Sequence, residues 1–507
     1  MSPARRSRTR WHLFVSISCT LISRFLGFIR TIVETSLLGL TSITDCYQGA
    51  FRLTNFFREV FAEGALGGVY TPLHTRAVVE NSEEEATNFF WATVLTVLIV
   101  SSLLVVILYV GLKPILSFWL MDFSSQKVQI TMTYAQIMLP FLTFISVGSM
   151  FMVGHYLKGR FVYSSLHPIL FSLAVIGFGL ANPGGNLGIS LSWGVLVGGV
   201  LQFLLLATTL RPGLPSIEGL SRQMPRIKLL LSMLFPVLIA VAIHRINRLI
   251  DLQFASGLVA GTLSALAYSM VILNVPMGLV SIASSNVFYP LLARLKSEGK
   301  LEEYHYEITR ALRFLLLLGI PLTIFFTMYS LDLVQFLFLK IPGWIQISTQ
   351  MEETSVVLMA DALRFYSPGL LFIVINPLLV KIFHSSLETR VPAVLGSLLV
   401  LFNILINMLL TPLFAHKGIA AATSICAFLH SIFLIRCLWL TKTYKLERKV
   451  LASLSFYTLL AFPSYYVSSL LPSSFTPLPE FLLGSLIYFL LFFSVQWIQY
   501  GSFSWPR

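Results

Sequence analysis

Residues 11–73 read WHLFVSISCTLISRFLGFIRTIVETSLLGLTSITDCYQGAFRLTNFFREVFAEGALGGVYTPL: two apolar stretches of membrane-spanning length, interrupted by Arg24, Arg30, Arg52 and Arg58. A bilayer's hydrocarbon core takes about 20 residues of helix. An arginine at the centre of such a helix costs about 2.5–3.5 kcal/mol on insertion scales. Several arginines together persist where they face a watery cavity or an anion, so this cluster marks the functional region as well as the fold.

Working outward, apolar runs of similar length recur at 87–112, 128–155, 163–183, 187–210, 230–254, 258–290, 308–332, 355–384, 391–411, 418–440, 450–470 and 479–500, after 11–38 and 43–73. Charged residues are 11% of the chain and the mean hydropathy is +0.81, whereas an ordinary soluble domain carries about 25% charged residues. The fold class is therefore an all-α polytopic membrane protein of about 14 transmembrane helices. An even count places both termini on one side.

The net charge of +13 is distributed by membrane sidedness. Loops on the amino-terminal side hold Arg5, Arg6, Arg8, Arg10, Arg76, Lys158, Arg160, Arg211, Arg222, Arg226 and Lys228, and later Arg294, Lys296, Arg390, Lys442, Lys445, Arg448 and Lys449. The opposite loops offer Lys113, Lys127, Lys340 and Lys417. This asymmetry assigns both termini to the cytoplasm. The basic surface is matched by membrane lipids of the inner leaflet and calls for no nucleic acid.

The basic start followed by an apolar run is a retained first helix and not a signal peptide, because Arg24 and Arg30 interrupt it and no small-residue cleavage site follows. Cys19, Cys46, Cys426 and Cys437 lack metal-ligand spacing and read as small packing residues. His155, His167, His384 and His430 lie alone in or near spans and read as hydrogen-bonded packing residues.

An internal echo is visible. Val69, Pro72, Leu73 and Arg76 recur as Val287, Pro290, Leu291 and Arg294, and the same offset carries Arg30 onto Arg248. Parallel six-helix halves around a central cavity are a transporter architecture. The expected organisation is an N-terminal lobe at 1–211, a cytoplasmic linker at 212–228, a pseudo-symmetric C-terminal lobe at 229–440 and two further helices at 441–507. The acidic run Glu83-Glu84-Glu85 reads as a solvated helix start.

The longest motif runs through Ser23-Arg24-Phe25-Leu26-Gly27-Phe28-Ile29-Arg30, Thr44-Asp45, Phe51-Arg52, Asn55, Arg58 and Phe61-Ala62-Glu63-Gly64-Ala65. It resembles the amino-terminal signature of the MurJ/MviN family, lipid II flippases of the MOP exporter superfamily. The likeness continues at Gly159-Arg160-Phe161, Trp193, Val197 to Gln202, Phe254-Ala255-Ser256, Pro276 to Pro290, and Thr389-Arg390 to Pro392. The resemblance implies a bacterial inner-membrane transporter, not an enzyme, that moves lipid II by alternating access. Its partners would be lipid II, membrane lipids and cell-wall synthesis proteins, and the added pair of helices would border a groove for the lipid tail.

By the same resemblance, Arg24, Arg30 and Arg58 match the family's cavity arginines, Asp45 its acidic residue and Arg52 a usually basic position, with Asn55 beside them. A guanidinium matches phosphate geometry and stays charged, which suits the pyrophosphate of lipid II. The residues also allow a plainer reading, in which Arg30 pairs with Glu34 along the helix and Arg52 with Asp45 or Glu59. Glu63 reads as a gate or packing partner.

Three departures from the family pattern stand out. Thr31 replaces an acidic residue, Thr54 replaces a proline, and Val271 occupies a position where relatives carry a basic cavity residue. Arg245 and Arg248, beside Asp251, are the candidates to make up that loss as phosphate ligands, unless Arg248 pairs with Asp251 one turn on. The resemblance further implies a sodium coupling ion at Asp251, Asn403, Asn407 and Thr423, although Asn407 stands where a carboxylate is expected. Interhelical hydrogen bonding is the commoner use of such asparagines.

Two other cargo classes stay open at this point: another polyprenyl-linked oligosaccharide, or a drug or cation. A cationic cargo calls for cavity carboxylates, against the arginine-rich first lobe. A glycosyltransferase would need clustered carboxylates or a large soluble loop, and neither is present in the sequence.

Overall fold

The computed structural model describes residues 3–61, 65–80, 82–182, 185–469 and 485–494, and all regular structure among them is helical. The chain divides into two compact units. The first, Met1–Ser264 with Ile347–Gln350, contains α1 (Pro3–Leu38), α2 (Ser42–Phe61), α3 (Ala65–Glu80), α4 (Glu83–Trp119), α5 (Ser125–Met138), α6 (Phe141–Leu157), α7 (Phe161–Ala181), α8 (Leu187–Leu210), α9 (Ile217–Arg222) and α10 (Met224–Ser256). The second, Ala265–Gln346 with Met351–Arg507, takes most of α11 (Thr262–Pro276), then α12 (Ala283–Ser297), α13 (Leu301–Met328), α14 (Ser330–Gln335), α15 (Ile341–Trp344), α16 (Glu353–Ser385), α17 (Arg390–Phe414), α18 (His416–Leu440) and α19 (Arg448–Ser469).

Among the described residues, eight helical stretches are long and apolar enough to cross a membrane, and the arginine-bearing α1, α2 and α10 are not among them. Of the last expected span, Ser485–Ser494 falls within the described residues and is helical.

Local chemistry explains where helices start and break. The Ser82 side chain accepts the backbone N–H of Glu85 at 3.2 Å, an N-cap that starts α4. Glu83, Glu84 and Glu85 fill its first turn, where carboxylates suit the helix dipole. Pro140 separates α5 from α6. Pro276 has no N–H to continue the helical ladder, and Met277–Ile282 answers with a π-helical turn between α11 and α12.

In the first unit α7 packs on α1 and α8, α2 on α5, and α10 on α2, α3 and α4. Tyr70, Phe89, Phe90, Met150, Phe151 and Leu230 form a buried core joining α3, α4, α6 and α10. Thus α10, which the repeat counts as the first helix of the second half, packs within the first unit. The linker also docks there. Trp91 Nε1 donates to the Gly213 carbonyl at 2.7 Å, and the Ser216 N–H to Asn88 Oδ1 at 3.0 Å. Arg226 reaches Glu85 at 2.7 Å and Gln223 donates to the same carboxylate at 3.1 Å. Glu85 is therefore a clamp, and the reading of the whole acidic run as solvated is corrected at this residue.

The second unit shows the inverted pattern of a membrane interior. On α17, Asn403, Asn407 and Thr411 are buried at i,i+4 spacing, while Leu401, Leu405, Met408, Leu409 and Leu413 face outward. Helix α16 packs on α13 and α18, and Gly369 permits the closest approach. A Cβ there would come within 2.6 Å of the Ser424 Cα, whose Oγ donates to the Phe365 carbonyl at 2.7 Å. Cys19, Cys46 and Cys426 are buried.

Gly369→Val should force α16 and α18 apart and destabilise the protein by about 1–3 kcal/mol, as overpacking does. Gly177→Ala, into open space, is the control. Melting temperatures in one detergent compare them, and equal values would refute the close-packing role of Gly369.

Candidate functional site

The predicted site residues of the first two helices lie on α1 and α2 of the first unit. Arg24 is exposed and Arg30, Arg52, Asn55 and Arg58 are half-buried. Each cation has been met locally where the helix allows it. Arg30 pairs with Glu34 one turn on, Nε to Oε1 3.3 Å, and its guanidinium lies over the rings of Phe51 and Phe171 at 5.7 and 5.1 Å. These aromatic faces attract a partly desolvated cation. Arg58 Nε donates to Asn55 Oδ1 at 2.8 Å, an i,i+3 contact.

Glu59 carries the contact that sequence spacing does not reveal. Its Oε2 lies 3.1 Å from Arg245 Nε and its Oε1 2.8 Å from Arg248 Nη1, bringing both arginines of α10 to α2. Arg248 thus reaches Glu59, in place of the one-turn pair with Asp251 that its own helix offers. Asp251 is half-buried on α10.

Asp45, 3% exposed, is fully engaged by the start of α11. Oδ2 accepts the Gly261 N–H at 2.7 Å, and Oδ1 accepts the N–H and the hydroxyl of Ser264 at 2.9 and 2.7 Å. The first N–H groups of a helix have no partners of their own, and a carboxylate supplies both acceptors and charge there. Gly261, at φ +87°, turns the chain so that its N–H meets Asp45. The two carboxylates that sequence spacing offers to Arg52 are therefore engaged by α11 and α10.

Glu63 lies outside the described residues. The residues expected to hold sodium are distributed over the two units: Asp251 in the first, Asn403, Asn407 and Thr423 in the second. Asn407 Nδ2 donates to Asn403 Oδ1 at 3.1 Å. The Thr423 hydroxyl donates to the Ile419 carbonyl at 3.3 Å. Among the described residues no group of His, Cys, Asp and Glu is arranged to hold a metal ion.

The result is a set of guanidinium groups on α1, α2 and α10 that outnumber the carboxylates Glu34, Asp45, Glu59 and Asp251 of the described parts of these helices. A guanidinium can pair with the oxygens of a carboxylate or phosphate. The sequence profile of the family described as Lipid II flippase MurJ matches residues 35–491.

The chain belongs to that family.

A probable lipid II flippase MurJ of Vibrio cholerae is 27% identical over 442 residues, 85% of this chain and 83% of that protein. One from Rhizobium meliloti is 29% identical over 431 residues, 83% and 78% of the two chains. Among solved structures, a lipid II flippase MurJ in an inward closed conformation has a TM-score of 0.81 at 22% identity, covering 97% of this chain and 100% of that one. An inward-facing MATE multidrug transporter of the MOP superfamily has a TM-score of 0.64 at 14% identity, covering 85% and 98%. The family membership accords with the resemblance carried by the arginine motif, and the structural likenesses establish the fold.

Asp45→Ala removes three hydrogen bonds from buried N–H and O–H groups and should destabilise the protein by about 1–3 kcal/mol. Glu59→Ala breaks ion pairs with arginines that are 37% and 51% exposed, where such pairs contribute about 0–1 kcal/mol. Thermal unfolding of both variants should show the larger drop for Asp45→Ala, and the reverse order would overturn this assignment of roles.

Proposed function

We propose that this chain carries lipid II from the cytoplasmic to the outer leaflet of the bacterial inner membrane by alternating access, with Arg24, Arg30 and Arg58 binding the pyrophosphate. Transport of this kind breaks no covalent bond in the cargo. The observation that carries the reading is the state of the carboxylates. Glu34 is held by Arg30, Glu59 by Arg245 and Arg248, and Asp45 by the start of α11. A cationic cargo would have to displace an arginine from a carboxylate, whereas an anionic cargo adds acceptors to a site rich in donors.

A pyrophosphate offers more oxygens than the single carboxylates that now face Arg30, Arg245 and Arg248. In the proposed cycle the phosphate oxygens take up guanidinium N–H groups that Glu34 and Glu59 otherwise occupy, so loading loosens the pairs between α2 and α10. That exchange biases one conformation over another in proportion to the difference in binding between them. Both termini are taken to lie in the cytoplasm, following the loop charges.

The test is replacement of a conditionally depleted lipid II flippase in cells, with head-group exposure followed directly. The wild-type chain should sustain growth and exposure. Arg24→Ala, Arg30→Ala and Arg58→Ala should each lower exposure by roughly tenfold or more at equal expression, the scale expected from losing a charge-assisted hydrogen bond of about 1.5–3 kcal/mol. Arg245→Ala and Arg248→Ala should each lower it less. A well-expressed wild-type chain that leaves lipid II unexposed would falsify the proposal and favour another polyprenyl-linked cargo.

A further inference from the structure

The arginine cluster has a neighbour that binding a pyrophosphate alone does not require. On α7, Ser164, His167 and Phe171 fall at i, i+3 and i+7, one face of the helix. Phe171, one turn along that face from His167, lies beneath the Arg30 guanidinium at 5.1 Å. This face of α7 therefore borders the same cluster as α1 and α2.

His167 is half-buried, and its Nδ1 donates to the Ser164 carbonyl at 2.8 Å. A carbonyl oxygen only accepts, so Nδ1 carries a proton, and in the neutral ring Nε2 presents a lone pair. Nε2 makes no hydrogen bond among the described residues. Packing alone would be satisfied by the Ser164 bond and the volume of the ring.

The surroundings give that lone pair significance. Arginine donates and never accepts. Acceptors within the cluster are turned to its own cations: Asn55 Oδ1 to Arg58, Glu34 to Arg30, and Glu59 to Arg245 and Arg248. A pyrophosphate brings further acceptors, but the sugar attached to it brings hydroxyl and amide N–H donors. Those donors need an acceptor beside the phosphate site, and His167 Nε2 is placed to be one.

We infer that His167 accepts a hydrogen bond from the sugar next to the pyrophosphate of the lipid-linked cargo, adding recognition of the head group to recognition of the phosphates. The inference rests on the flippase reading above. It predicts that the histidine separates a sugar-bearing ligand from a bare one, which an arginine does not do.

The experiment measures binding of lipid II and of undecaprenyl pyrophosphate to the purified full chain by native mass spectrometry. Wild type should bind lipid II more tightly. His167→Phe, which keeps a ring and removes the acceptor, should weaken lipid II binding roughly three- to tenfold, the effect of one lost hydrogen bond. Binding of undecaprenyl pyrophosphate should stay within about twofold of wild type, the margin such context-dependent effects allow. His167→Gln retains an acceptor and should recover much of the difference, while Arg58→Ala should weaken both ligands. Equal losses for both ligands in His167→Phe, or no loss for either, overturn the inference. If wild type binds undecaprenyl pyrophosphate and lipid II alike, the inference fails while phosphate binding stands. If it binds neither, the flippase reading fails and takes the inference with it.

Discussion

A guanidinium group cannot shed its charge at physiological pH, and hydrocarbon cannot solvate it. Much of the first unit follows from that constraint. Arg30 is met by Glu34 and two aromatic faces, Arg58 by Asn55, and Arg245 and Arg248 by Glu59. None of these arrangements needs the arginine to be removed from reach of an anion. Arg245 and Arg248 stay 37% and 51% exposed beside Glu59. Breaking a fully buried ion pair is far more costly than breaking a half-exposed one.

What was legible in the sequence divides by the distance over which each interaction acts. Apolar runs mark helices because twenty residues of hydrocarbon depth is a local demand. Arg30 with Glu34, and Arg58 with Asn55, are contacts along one helix, so spacing either stated them or brought the partners together. The run at 258–290 reads as one span, and the π-helical turn that follows Pro276 depends on the packed surroundings. Asp45 was visible as a functional acid, but not its engagement by Gly261 and Ser264, more than two hundred residues on. The same holds for Glu59 and α10, which meet across 189 positions. No periodicity encodes such distances. His167 looked like a packing residue because its helix face is apolar except for Ser164, and only the placement of α7 against α1 gives it charged company.

The repeat shows a related limit. Pro72 and Pro290 both lie inside helices, α3 and α12. An echo in the sequence does not set which side chains are buried together. The core of Tyr70, Phe89 and Phe151 extends to Leu230, so α10 is held by apolar contact and by Glu59, whichever half its sequence echoes.

The docked linker has a consequence for the integrity of the chain. From Gly213 to Arg226 it is fastened to α4 by Trp91, Asn88 and Glu85, so a stretch with several Pro, Gly and Ser residues is held against that helix and is not slack. Two fragments meeting there would each lack something: the first would lose the strap over α4, and the second would begin with an unshielded Arg226 and an uncovered Leu230. A division of the chain outside this stretch would leave the strap over α4 whole.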